Sequence, residues 1–289
     1  MPELDEAARA AERVARDSYG RLLAFLAART RDLAAAEDAL GDAFAAALRT
    51  WPTDGVPANP AAWLLTAARH SQTDALRRGQ TRVAHEPQLM VLSEMSALPE
   101  EAGDIPDRRL GLMFACAHPA IERGMRAPLI LQAVLGLTAE DIAAAFLVSP
   151  ATMGQRLSRT KKRIRDAGIP FAVPDADALP ERLDAVLGAI YAAYTRGWND
   201  VGDAGVPEMA GEALWLGHLL VSLLPHEPEA KGMLALMLYA ESRRHARRDS
   251  TGAFVPLEEQ DTRAWDHRQI ASAEALLRQA SQTGTTGRY

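Results

Sequence analysis

The sequence predicts an all-α protein: two small helical modules followed by a domain of helical hairpins. Three observations predict it. The 289 residues are 48% hydrophobic yet only 6% aromatic, and alanine and leucine fill most apolar positions. Those positions recur at i, i+3 and i+4 in one stretch after another, and no run alternates at period two for long. Capping residues and breakers bracket the stretches at helical lengths. The chain is long enough for two or three domains with cores of their own.

Prolines, glycines and charge runs set the expected boundaries at 1–80, 81–107, 108–170 and 171–289. In the first block a helix from roughly Glu6 to Thr30 carries Val14, Leu22 and Leu26 at helical spacing. A second, AAAEDALGDAFAAALRTW, sets Leu40, Ala43, Phe44, Ala47, Leu48 and Trp51 on one face, with Asp38 and Asp42 one turn apart beside it. The stretch PTDGVPANP (52–60) closes that helix. Asn59 then caps a third, with Pro60 at its first position, where a missing N–H costs nothing. This helix buries Trp63, Leu64, Ala67, Ala68 and Leu76, presents Arg69, His70, Thr73, Arg77 and Arg78, and stops at Gly79. Residues 81–107 are rich in Pro and Glu without a long period, as an acidic connection would be.

The most informative stretch is LTAEDIAAAFLVSPATMGQRLSRTKKRIR, Leu137 to Arg165. Thr138 and Asp141 stand at capping-box spacing, and Ile142, Ala145 and Phe146 share a face. Leu147-Val148-Ser149 makes a short turn, and Ser149 caps a second helix that starts at Pro150. Met153, Leu157, Thr160 and Ile164 form its expected inward stripe. Ser149, Thr152, Gln155, Arg156, Arg159 and Lys162 remain free for phosphates and base edges, and the ten residues ending at Arg165 hold six bases and no acid. Two capped helices joined by so short a turn read as a helix-turn-helix.

The net charge of −6 looks unsuited to nucleic acid until it is divided. Residues 1–80 carry 10 basic and 11 acidic side chains, residues 81–170 carry 11 and 10, and residues 171–289 carry 11 and 17. The deficit therefore lies in the last block. Near-neutral modules with small basic patches bind DNA weakly alone and gain useful affinity through a partner.

The third block divides into expected helices at 179–196, 208–224, 228–247, 257–264 and 266–280, of which the second and third suit an antiparallel hairpin across PHEP. Arg243, Arg244, Arg247 and Arg248 cluster beside the turn at Gly252. They form a weak regulatory anion site or pair with Glu258, Glu259 and Asp261 of the same domain. His218, His226, His245 and His267 are scattered without paired spacing, and there is no nucleophile triad or phosphate loop. Catalysis, metals and cofactors are therefore not expected. Cys116, the lone cysteine, and His118 read as core and helix-end residues. No apolar run reaches membrane-spanning length and the first residues are too charged for a signal peptide, so a cytoplasmic protein is expected.

The order AEDAL.DAF, AWL, AR, DALRR, an acidic linker, then a helix-turn-helix ending in RL.R.K..IR resembles bacterial RNA polymerase sigma factors. The likeness is to the compact extracytoplasmic-function (ECF) group, in the subgroup with a tetratricopeptide-like (TPR-like) C-terminal extension. It extends from about Asp17 to Leu277. The resemblance implies that Asp38, Asp42 and Phe44 bind the clamp helices of core RNA polymerase. It implies that Arg69, His70, Thr73, Arg77 and Arg78 hold the melted −10 strand of promoter DNA, and that the second helix of the helix-turn-helix reads the −35 element. It further implies a C-terminal regulatory domain, and a small DGPF/YCII-type protein as a further partner. Two positions depart from the family pattern. His70 stands where Asn is common, so the −10 preference does not transfer. Gly154 stands mid-helix where a base is common, at a cost of about 1 kcal/mol relative to alanine. The alternative reading is a stand-alone helix-turn-helix regulator whose last block senses a ligand or dimerises.

Overall fold

The computed structural model describes residues 2–80, 105–199, 209–249, 251–282, 284 and 287–289. Among these residues the chain is all-α, as the periodicity predicts, with short 3₁₀ turns and one isolated bridge between Arg248 and Phe254. It divides into two compact units, Met1–Ala143 with Val148–Arg182, and Ala144–Leu147 with Leu183–Tyr289.

The first unit begins with three mutually packed helices, α1 (Pro2–Thr30), α2 (Leu33–Asp54) and α3 (Pro60–Gln80). Asp32, in extended backbone, caps α2 by accepting the Ala35 N–H at 3.1 Å, a contact worth about 1 kcal/mol. The α2 helix buries Leu33, Ala36, Leu40, Ala43, Ala47 and Trp51 but leaves Leu48 49% exposed. The apolar face is thus narrower than the sequence suggests. The helix also runs through Pro52 and stops only at Gly55, whose φ of +85° suits glycine. Proline in the last turn forfeits the bond of its own missing N–H, and few helical residues lie beyond it to be disturbed. Asn59 caps α3 as expected, its side chain accepting the Ala62 N–H at 3.1 Å. Leu64 and Ala68 are buried, while Trp63 is half-buried and meets Trp51 edge-to-face at 5.5 Å.

The same unit continues with α4 (Arg109–Cys116), α5 (Arg123–Leu135), most of α6 (Ala139–Ala145) and α7 (Pro150–Asp166). Every residue from Leu110 to Cys116 is buried, which accounts for the short apolar run FACA and for Cys116, whose thiol burial pushes far up. His118 lies at the helix end, half-buried, accepting the Ala120 N–H. The α5 helix ends at Gly136 (φ +74°), which accommodates the Tyr19 ring of α1. Gly20 brings α1 so close to α5 that a Cβ there would lie 2.1 Å from the Val134 carbonyl oxygen.

The second unit is built on α8 (Leu179–Asn199), α9 (Met209–Leu223), α10 (Pro228–Glu241) and α11 (His267–Ser281). The short PHEP connection makes α9 and α10 a hairpin, with Gly217 set against Leu234 and Met237. Leu234, Ala235 and Leu238 of α10 enclose Ala273 of α11. The Tyr194 hydroxyl of α8 donates to the Met237 carbonyl at 3.1 Å. The helix expected over 228–247 ends at Glu241. The Ser242 carbonyl accepts the Asp266 N–H at 2.8 Å, and Arg244–Ala246 tightens into a 3₁₀ turn. The short helix expected at 257–264 is two separate 3₁₀ turns, Leu257–Glu259 and Thr262–Ala264, interrupted by extended backbone at Gln260 and Asp261.

Candidate nucleic-acid interface

The helix-turn-helix is built from its caps outward. The Thr138 hydroxyl accepts the Asp141 N–H at 3.2 Å, and the Asp141 carboxylate accepts the Thr138 N–H at 3.0 Å. This reciprocal pair satisfies two N–H groups that a helix start leaves free. Leu147, at φ +54° and 88% exposed, makes the turn. Left-handed backbone is uncommon for a branched apolar side chain, so the turn is held by its surroundings rather than by residue preference. The Ser149 hydroxyl accepts the Thr152 N–H at 3.2 Å and is 2.8 Å from the Thr152 hydroxyl.

Met153, Leu157 and Ile164 are buried, as the sequence predicts for the inner face of α7. Thr160 is not part of that stripe. It is half-buried, and its hydroxyl donates to the Arg156 carbonyl at 2.8 Å. The fourth inward position belongs to Lys161, 9% exposed, which donates to Glu37 on α2. Arg165 reaches Asp32 at 3.4 Å from the same side. Burial raises the Glu37 carboxyl above its ordinary range, against the opposing pull of the Lys161 ammonium. Neither partner stands out in the sequence, because the two lie far apart along it.

The opposite face of α7 is open. Gln155, Arg156, Arg159 and Lys162 are exposed and Thr152 is half-buried, so four long polar side chains project to solvent from consecutive turns. Exposed Ser149, whose hydroxyl is already engaged with Thr152, stands at the helix start, where N–H groups favour a phosphate. A Cβ at Gly154 would meet only the Ala139 Cβ, at 3.9 Å, so no packing demands the glycine.

On α3, His70 is exposed while Arg69 and Thr73 are half-buried, the Thr73 hydroxyl donating to the Arg69 carbonyl at 2.9 Å. The side chains of Arg77 and Arg78 lie outside the described residues. Gln72 was not singled out by the sequence. It is 4% exposed, and neither amide atom has a partner among the described residues. On α2, Asp38 and Asp42 are exposed and Phe44 is half-buried beside them. Asp42 accepts the Ser71 hydroxyl of α3 at 2.7 Å, so one of the two carboxylates also ties the bundle together.

In the second unit the arginine cluster is dispersed among local acceptors. Arg244 pairs with Glu241 at 3.0 Å, Arg243 donates to the Tyr239 carbonyl and Arg248 to the Gly252 carbonyl. Asp261, an expected partner, pairs instead with Arg263 at 2.9 Å. Burial, and after it repulsion from Arg248, hold the Arg247 guanidinium below its ordinary range. Among the described residues no group of three or more His, Cys, Asp or Glu side chains could hold a metal ion, and no helix is long and apolar enough to cross a membrane.

Comparison with known proteins finds three matched segments, the first two almost entirely within the first compact unit. Residues 14–82, spanning most of α1 to α3, match the family model Sigma-70 region 2, and residues 112–164, spanning α4 to α7, match Sigma-70, region 4. Residues 182–281 match a family of unknown function (DUF6596). An uncharacterized protein of Rhizobium meliloti (strain 1021) is 40% identical over 267 residues, covering 90% of this chain and 63% of that protein. The chain thus spans less than two thirds of that relative's length. No solved structure matches. The two Sigma-70 regions support a sigma factor of the sigma-70 family.

Proposed function

We propose that this chain is a dissociable subunit that binds core RNA polymerase and directs it to promoters, melting the −10 region and reading the −35 element. The observation that carries this reading is the co-occurrence, in order on one chain, of a Sigma-70 region 2 bundle with exposed acids and a Sigma-70 region 4 helix-turn-helix with an exposed basic face. Asp38 and Asp42, one turn apart, would repel each other alone and suit arginines of a partner helix. Arg156 and Arg159 suit guanine edges or phosphates in a major groove, with Gln155 and Thr152 beside them. His70, with Arg69 and Thr73, suits an unstacked base and its phosphate. The chemistry of bond formation belongs to the polymerase in this reading, and the chain itself is not an enzyme.

Within the sigma-70 family, the compact two-region layout supports the extracytoplasmic-function group. The α9–α10 hairpin followed by α11 supports a TPR-like extension, and we assign that extension the regulatory role that a separate inhibitor otherwise fills. The DGPF/YCII-type partner has no support in these observations; core polymerase and promoter DNA are the partners proposed.

The test is a titration of purified core polymerase against the protein. Saturable binding that weakens at least tenfold in Asp38→Arg/Asp42→Arg supports the assignment. A chain that ignores core polymerase but footprints a specific duplex by itself would be a stand-alone regulator instead.

A further inference from the structure

Two glycines of the second unit are required by one and the same contact. A Cβ at Gly232, inside α10, would lie 2.7 Å from the Tyr289 carbonyl, and the three atoms nearest to it all belong to Tyr289. Glycine inside a helix is unfavourable, so this close approach accounts for its presence there. A Cβ at Gly287 would collide with the Glu229 carboxylate of the same helix.

The segment Gly287-Arg288-Tyr289 thus lies on a seat built from α8 and α10. The Arg288 backbone N–H donates to the Glu229 carboxylate at 2.9 Å, and its guanidinium donates to the Asp184 carboxylate at 3.0 Å. The Tyr289 ring meets the Tyr191 ring edge-to-face, with 5.7 Å between ring centres. Asp184 and Tyr191 stand at i and i+7 of α8, and Glu229 and Gly232 at i and i+3 of α10, so each helix presents its pair from one face. The seat therefore selects three successive features of an extended segment: a residue without a side chain, a cation and an aromatic ring.

The chain's own segment fills this seat imperfectly. The Tyr289 hydroxyl is buried and has no hydrogen-bond partner among the described residues, a loss of hydration that nothing offsets. The Arg288–Asp184 pair is 51% and 57% exposed, which leaves it weak. Such contacts suffice for a segment tethered close by, since residues 282–286 join it to the end of α11 and raise its local concentration. They do not hold it against a ligand of better fit.

We propose that the α8–α10 seat is a peptide-binding site for an extended Gly-Arg-Phe segment of a partner, which displaces the resident residues 287–289. Phenylalanine keeps the ring contact with Tyr191 and removes the stranded hydroxyl. An acid in place of the arginine would set a third carboxylate beside Asp184 and Glu229.

The experiment needs neither polymerase nor DNA. A labelled, amidated Thr-Gly-Arg-Phe peptide is titrated with the full-length protein and followed by fluorescence anisotropy. Gly287→Val drives methyl groups into the Glu229 carboxylate and should empty the seat, so this variant should bind the probe about tenfold more tightly than wild type, or better. A Thr-Gly-Arg-Tyr peptide should bind the same variant several-fold more weakly than the phenylalanine one. Asp184→Lys added to Gly287→Val should abolish most of the binding. Arg288→Glu/Tyr289→Ala, a second way of emptying the seat, should behave as Gly287→Val does. Failure of both emptied variants, at native helicity, to bind the probe overturns the site. Equal affinity of wild type and emptied variants overturns its occupation by residues 287–289. A tyrosine peptide that binds as tightly as the phenylalanine one overturns the preference. A wild-type dimer that Gly287→Val dissolves would seat the segment on a second copy and overturn displacement within one chain.

Discussion

Single residues of α7 divide the work of folding from that of recognition. Arg156 and Arg159 are exposed, whereas Met153, Leu157 and Ile164 are buried. Arg156→Ala/Arg159→Ala should weaken binding of polymerase-bound protein to −35 duplex by at least tenfold, with an unchanged melting temperature. Unchanged promoter affinity in a gel-shift titration would remove the assignment. Gly154 makes the opposite prediction. Its Cβ site is open, so Gly154→Ala should raise stability by about 1 kcal/mol through helix propensity alone, measurable as a rise in the denaturation midpoint. What the sequence conveys at this scale is limited by where partners come from. A helical wheel at 3.6 residues per turn places Thr160 within about 20° of Met153 and Lys161 about 80° away. Lys161 is nevertheless the buried one, because Glu37 approaches from its side and lysine can bury its stem while pairing its charge.

At the scale of elements, caps and breakers are legible and helix ends less so. Asn59, Ser149 and the Thr138–Asp141 pair sit where the sequence places them, since a cap is a local device. The run through Pro52 and the stop at Glu241 depend on neighbours, Trp51 packed on Trp63 and Ser242 bonded to Asp266. Helix approach is equally hidden. Nothing in the sequence distinguishes Gly20 from Gly41, yet only Gly20 meets a backbone carbonyl. Gly20→Val should therefore push α1 from α5 and lower the melting temperature by several degrees. Gly41→Val, with open space around it, should move it by much less; equal effects would deny the close contact. The α2–α7 contact predicts a pH dependence. Burial raises the Glu37 carboxyl above its ordinary 4.5, so the ionised form is the one the fold disfavours. Its contribution to stability should fall as pH rises from about 4.5 through the raised value, then level off. Thermal melts of wild type and Glu37→Gln should diverge across that window, and parallel curves would contradict the assignment.

At the scale of the molecule, the order of modules was readable because each carries its own local signature: the acidic helix, the AWL helix and the capped helix-turn-helix. The packing of the first two regions into one unit was not, because it rests on long-range pairs such as Glu37 with Lys161 and Gly20 with Val134. The role of the last block is the least legible. Its helices follow from periodicity, while Arg244, Arg243 and Arg248 meet Glu241, Tyr239 and Gly252, local acceptors that helical spacing alone does not single out. Charge distribution supplies a prediction for the whole chain. The excess of acid lies in the last block, and the basic residues of the first two form small patches. The free protein should give no specific duplex footprint at physiological salt, and a footprint should emerge on adding core polymerase.

The role proposed for this chain is to direct core RNA polymerase to a promoter. Run-off transcription on the DNA upstream of its own gene, with core polymerase alone and with the protein added, tests it most directly. The expected result is a discrete start site that requires the protein, with sequences about 10 and 35 base pairs upstream whose mutation abolishes it. Core polymerase that initiates identically with and without the protein, on that template and on fragments across the genome, would contradict it.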